Sequence, residues 1–292
     1  MNSPVLPNPG GVGAASTSYV TVDGGRLAYE STGEGPLIVL AHGIGDLRQS
    51  YRFLAPLLAA AGYRVVSADL RGHGESSTGW ESISRSDVAS DLLALVRHLG
   101  GPAVLVGQSL SGGAATIAAA RAPELISAVV ELNPFTRVPK TDLGAMLRVR
   151  RYRRGGLLMG ATVAFRSLGM WLRYLNVAYP AKPDDWAAYT TALRAKLSEP
   201  ERMKQFLLTM RTNGADAEAE LAHVTVPALI IMGSADPDFP DPEAEGAAIV
   251  AALPPGIGTL EIVEGAGHYL HAERPAETAA LVTRFLASRS RA

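Results

Sequence analysis

The sequence predicts an α/β fold: a mostly parallel, helix-covered eight-stranded sheet carrying a helical lid insertion. Three observations lead there. Apolar runs recur at residues 37–41, 64–68, 103–106, 128–132, 228–232 and 259–263, and such runs suit strands buried on both faces of a parallel sheet. Helical patterns lie between most of them, which implies βαβ units. The alternation then stops between Phe135 and His223, where helix-like segments occur with no clear strand run.

Taken in order, residues 19–22 and 26–31 form a hairpin about Asp23-Gly24-Gly25, a turn signal. The run 37–41 ends at His42-Gly43. A helix over 49–61 is stopped by Gly62, and one over 84–99 starts at Ser84 as N-cap and ends at Gly100-Gly101. Residues 112–121 form a helix closed by Pro123. Helix-like stretches at 145–152, 157–175, 184–197 and 199–211 fill the break. A final helix over 275–288 opens on Pro275, which suits a first helical turn. The chain thus divides into a Pro/Gly/Ser-rich leader (1–18), a core (19–134 and 224–292) and a helical insertion (135–223). Right-handed crossovers put the C-terminal ends of the parallel strands on one edge, and ligands bind outside that edge.

Composition narrows the function. The chain has 292 residues, 47% of them hydrophobic and 19% charged, with a formal net charge of -1. This is globular composition with a core of useful size, and the charge argues against a nucleic-acid partner. With no cysteine, disulfides, thiolate chemistry and Cys-based zinc sites are excluded. The leader lacks a basic start and an apolar run, so it does not read as a signal peptide. Arg166 and Arg173 interrupt the apolar stretch 157–175, so no membrane span is expected. A cytoplasmic location is expected; a homodimer is left open.

The chemistry centres on Gly107-Gln108-Ser109-Leu110-Ser111-Gly112-Gly113, which follows a buried strand and opens a helix. Such a turn lifts a serine hydroxyl into the cleft and needs small neighbours. Ser111 stands where the usual Gly-x-Ser-x-Gly pattern has its second glycine, which makes this a variant. The Gly-rich segments match neither a dinucleotide fingerprint after the first strand nor a Walker loop. No organic cofactor and no metal are expected.

With this elbow, three further motifs complete a set: His42-Gly43-Ile44-Gly45 after the third strand, Asp69-Leu70-Arg71-Gly72-His73-Gly74-Glu75-Ser76 after the fourth, and Gly265-Ala266-Gly267-His268 after the last. In order and spacing they resemble the α/β-hydrolase fold family, over nearly the whole chain from Tyr19 to about Arg289. The resemblance implies a serine hydrolase with Ser109 as nucleophile and His268 as general base. The acid should lie between them at a strand C-terminus. Asp236, in Gly233-Ser234-Ala235-Asp236, is the choice; Asp238 is the runner-up, and Glu131, after the sixth strand, is a more distant candidate. The oxyanion would be held by the backbone N–H groups of Ile44 and Leu110. His271 reads as a bystander or pocket wall, His42 and His73 as loop anchors, and His98 and His223 as structural. Asp69 and Arg71 read as residues that tie their loop down.

The resemblance favours an ester or lactone hydrolase that works through an acyl-enzyme on a small-to-medium, largely apolar substrate. Relatives that open epoxides by covalent catalysis use an aspartate in place of the serine. A C–C bond hydrolase is the alternative, and so is a slow-turnover signal-binding receptor, because such proteins resemble this chain at Ser111. Within the insertion, Trp171 and Phe206 belong to an apolar reserve expected to reach the substrate. Arg148, Arg150, Arg151, Arg153 and Arg154 crowd seven residues. That cluster reads first as a solvated helix face and second as a contact for an acidic partner, an anionic substrate tail or a membrane surface.

Overall fold

A computed structural model of the chain describes residues 16–138 and 142–289. Most of the expected leader, residues 1–15, lies outside them. Eight strands form one sheet in the order β1-β2-β4-β3-β5-β6-β7-β8: β1 (Ser18–Val22), β2 (Gly25–Thr32), β3 (Leu37–Ala41), β4 (Arg64–Ala68), β5 (Ala103–Gln108), β6 (Ile126–Leu132), β7 (Ala228–Gly233) and β8 (Gly258–Val263). The hairpin partner β2 runs antiparallel to both β1 and β4, and the pairings from β4 through β3, β5, β6 and β7 to β8 are parallel.

Every residue of β3, β5 and β7 is buried, as continuous apolar runs require when helices cover both faces. One face packs on α2 (Arg85–Leu99), α3 (Leu110–Arg121) and α10 (Pro242–Ala252), the other on α1 (Leu54–Ala60) and on α12 (Pro275–Arg289), which follows the short α11 (Leu270–Glu273). The ends of α2 follow the sequence closely. Ser84 accepts from Asp87 N while the Asp87 carboxylate accepts from Ser84 N, a reciprocal cap, and Gly100 closes the helix in the left-handed region at φ 86°.

Between β6 and β7 the chain forms α4 (Leu143–Arg148), α5 (Arg150–Phe165), α6 (Leu168–Ala178), α7 (Trp186–Leu197), α8 (Pro200–Thr209) and the short α9 (Ala215–Glu218). Their apolar residues build a third cluster around Trp171, Tyr174, Tyr189 and Phe206, joined by Leu47 and Tyr269 from loops at the strand ends. The expected single helix over 157–175 is two. Arg166 takes a left-handed φ of 49° and Ser167 caps α6 by accepting from Met170 N. The expected start at residue 49 is instead a 3-10 turn, Arg48–Tyr51, ahead of α1. Helix α10, which the periodicity does not announce, begins at Asp241 as N-cap with Pro242 in its first turn. None of the described helices is long and apolar enough to cross a membrane.

Candidate active site

Ser109 sits at the junction of β5 and α3 with φ 56° and ψ -120°. A non-glycine residue there stores backbone strain of roughly 1–3 kcal/mol, and such strain persists where the surroundings fix it. Here Ser109 N donates to Leu132 O, and Ser109 O accepts from Gly112 N and Phe135 N. Gly107 must be glycine, since a Cβ there would stand 2.1 Å from Ser111 O. Ser111 does more than fit: its hydroxyl donates to His42 O at 2.5 Å and is fully buried, so it fastens the elbow to the loop after β3.

That loop is held from both sides. His42 Nδ1 donates to Gly43 O and its Nε2 accepts from Leu70 N; His73 Nδ1 donates to Arg71 O and its Nε2 accepts from Gly45 N. Burial pulls the His73 pKa down to about 3, in keeping with a neutral ring in that role. Asp69 accepts from Arg48 N and Glu75 N, and Arg71 forks onto Asp91 at 2.6 and 2.7 Å, so both are loop ties. The loop closes on the elbow: a Cβ on Gly43 would lie 2.8 Å from Ser109 Cβ. Ile44 and Leu110 therefore flank Ser109, and among the described residues neither backbone N–H is engaged by an acceptor.

Asp236 and His268 come together. His268 Nδ1 donates to Asp236 Oδ2 at 2.7 Å, and Asp236 Oδ1 accepts from Asp238 N at 2.8 Å. Asp238 also approaches, with Oδ2 3.4 Å from the same Nδ1. Burial would lower the His268 pKa, but the Asp236 and Asp238 carboxylates outweigh it and raise it to about 9. Burial raises the pKa of Asp238 to about 6. The three donor atoms lie within 4.8 Å of one another; a cation there would have to displace the Nδ1 proton, so the set reads as a hydrogen-bonded acid–base group. Glu131, the distant candidate, is buried under Thr116 and Thr136 instead, and burial raises its pKa to about 7. His271 is fully buried against Tyr51.

Four supports have no local signature in the sequence. Gln108 Nε2 donates to His268 O at 3.1 Å, tying the residue before Ser109 to the histidine loop. Asn133, at φ 43°, donates to Gly267 O and accepts from Gly233 N, so one side chain spans the histidine and acid loops. Glu273 accepts from Gly267 N and Ala181 N. The fourth is α6, where three residues at i, i+3 and i+7 touch three loops. Trp171 Nε1 donates to Gly45 O, Tyr174 Oη donates to Asp238 Oδ2, and Ala178 O accepts from His268 N.

Trp171 and Phe206 pack on each other, 5.0 Å between ring centroids, and against Gly45. They form the wall behind Ile44 and do not line an open cleft. Ser109, Asp236 and His268 are 5%, 0% and 3% exposed, and no Ser109 hydroxyl bond to His268 is formed among the described residues. The geometry is that of a covered site, in which catalytic hydrogen bonds commonly tighten only once substrate is bound.

A family profile described as the alpha/beta hydrolase family matches residues 38–281. Epoxide hydrolase A of Mycobacterium tuberculosis is 29% identical over 94% of this chain and 98% of its own. The 2-(acetamidomethylene)succinate hydrolase of Mesorhizobium japonicum is 29% identical over 93% and 97%. The crystal structure of the enol-lactonase from Burkholderia xenovorans superposes with a TM-score of 0.71 at 23% identity, covering 92% of this chain and all of that one.

Proposed function

The chain belongs to the alpha/beta hydrolase family and is a hydrolase, and we propose that it cleaves a small-to-medium, largely apolar carboxylic ester or lactone through an acyl-enzyme on Ser109. The observation that carries this is the hydroxyl at the strained elbow, tied through its neighbour Gln108 to the loop of a buried histidine that donates to Asp236. An epoxide hydrolase and an enol-lactonase both resemble the chain. Covalent epoxide opening on this fold uses an aspartate at the elbow, and a serine there suits attack on an acyl carbonyl instead.

In this reading His268 Nε2 removes the Ser109 proton as Oγ attacks, and Asp236 fixes the tautomer and stabilises the imidazolium. The N–H groups of Ile44 and Leu110 hold the oxyanion. The His268 proton then passes to the leaving alkoxide. Water, deprotonated by the same histidine, attacks the acyl carbon and frees Ser109 and the acid. The helices between β6 and β7 act as a cap that opens to admit substrate and excludes water when closed. Turnover of a panel of p-nitrophenyl esters of rising chain length, run beside an epoxide panel, tests the reading. It fails if epoxides turn over and esters do not. It also separates the receptor alternative, which demands very slow turnover throughout.

A further inference from the structure

The arginine cluster does not form one face. Arg151 turns inward and donates to the carbonyls of Asp236, at 3.2 Å, and Pro240, at 3.1 Å. On α5 the remaining residues sort by helical period. At 3.6 residues per turn, Arg150, Arg153, Arg154, Leu157 and Phe165 share a sector of about 120°. Gly155 lies on the opposite side, so close to the acid loop that a Cβ would stand 2.9 Å from Pro237 Cβ. Helix α5 therefore seats its inner face on the acid loop and turns its basic and apolar face to solvent.

Large apolar side chains project from that surface. Leu157 and Phe165 are 64% and 75% exposed, and Leu143 and Leu147 of α4 are 72% and 79%. The two helices are joined here, because Arg153 Nη1 donates to Leu147 O at 3.2 Å. Between α5 and α6 runs a groove of about 600 Å³ in which Arg150, Arg153, Arg154 and Arg173 stand around Leu157 and Leu158. Among the described residues none of these guanidinium groups, nor that of Arg148, meets a carboxylate; Arg153 and Arg173 reach only backbone carbonyls and the Met170 sulfur. The chain as a whole is balanced, with 27 basic and 28 acidic residues, so the patch is a local excess.

We propose that the outer face of α4 and α5 docks on an anionic lipid bilayer, with the arginines on the headgroups and Leu143, Leu147, Leu157 and Phe165 in the acyl boundary. Basic and apolar side chains share one outward sector of a helix about 24 Å long, which matches the charged headgroups and hydrocarbon boundary of an anionic bilayer. An interfacial helix buries its apolar residues some 5–10 Å deep and pairs its basic ones with anionic lipid. Long arginine stems reach the headgroups while their carbons lie along the apolar surface. Docking in this way is independent of the ester chemistry proposed above.

The test is co-sedimentation of the full chain with vesicles of phosphatidylcholine alone and of phosphatidylcholine mixed with phosphatidylglycerol. Binding to the mixed vesicles is expected, weakening as salt rises. Arg150→Glu with Arg154→Glu should weaken it more than about tenfold. Phe165→Ser should weaken it at every salt concentration. Both variants should keep wild-type turnover of a soluble ester and a wild-type melting temperature. Absence of sedimentation, equal binding to both vesicle types, or binding indifferent to the arginine pair overturns the proposal. So does full release by inorganic phosphate at matched ionic strength, which would mark a discrete anion site.

Discussion

The Tyr174 hydroxyl donates to Asp238 Oδ2 over 2.6 Å, and that same oxygen lies 3.4 Å from His268 Nδ1. A helix of the segment between β6 and β7 thus touches the electrostatics of the histidine through one carboxylate. Asp238 adds negative charge at the imidazole, and the tyrosine hydroxyl favours its charged form.

The pH dependence should show this. The base must be neutral to act, so kcat/KM should rise with pH through the His268 pKa, raised to about 9. Asp238→Asn removes a charge that favours imidazolium, lowers that pKa and moves the rising limb to lower pH. Tyr174→Phe weakens the charged form of Asp238 and moves the limb the same way by less. Profiles of the three proteins check the sign; a limb moving to higher pH in either variant contradicts it.

The two acids should differ in kind. Asp236→Asn leaves His268 without the partner at 2.7 Å that sets its tautomer and should cut kcat by about 10⁴. Asp238→Asn should retain most of kcat at its own optimum. Steady-state kinetics at each optimum decide, and the reverse order would move the acid to Asp238.

Ser111→Ala removes the buried donor to His42 O. An orphaned buried carbonyl costs about 1–3 kcal/mol, so the melting temperature should drop by several degrees, and kcat should fall with it as the elbow and the Ile44 loop loosen. Calorimetry and kinetics on one preparation check both; an unchanged melting temperature contradicts the tie.

Trp171 and Phe206 should alter substrate choice by shifting the wall behind Ile44. Trp171→Phe deletes the bond to Gly45 O and one ring of the indole packed on Tyr174 and Phe206 and should change the chain-length profile of ester cleavage more than its total. A profile identical to wild type would remove Trp171 from specificity.

All eight strands and the core helices α2, α3 and α12 were legible because their signals are local: apolar runs, a Ser84 cap, a Gly100 stop, a Pro275 start. Helix α10 has no period to read because PEAEGAAIVAA is so rich in small residues; the structure caps it with Asp241 and places Pro242 in its first turn. The break at Arg166 was hidden because a residue other than glycine adopts the left-handed conformation there. Asp236 and His268 could be put forward as candidates from their loops. Tyr174, Asn133, Gln108 and Glu273 could not, since each acts on a loop distant in sequence, at a position that only the packed chain defines.

Covalent trapping tests the central claim most directly. The wild-type chain is mixed with a p-nitrophenyl ester, quenched in acid during turnover and digested for mass spectrometry. An acyl group on the peptide containing Ser109, absent from Ser109→Ala, is predicted, together with a loss of turnover in that variant of roughly 10⁶. Sustained turnover by Ser109→Ala, or an adduct on any other residue, would contradict the account.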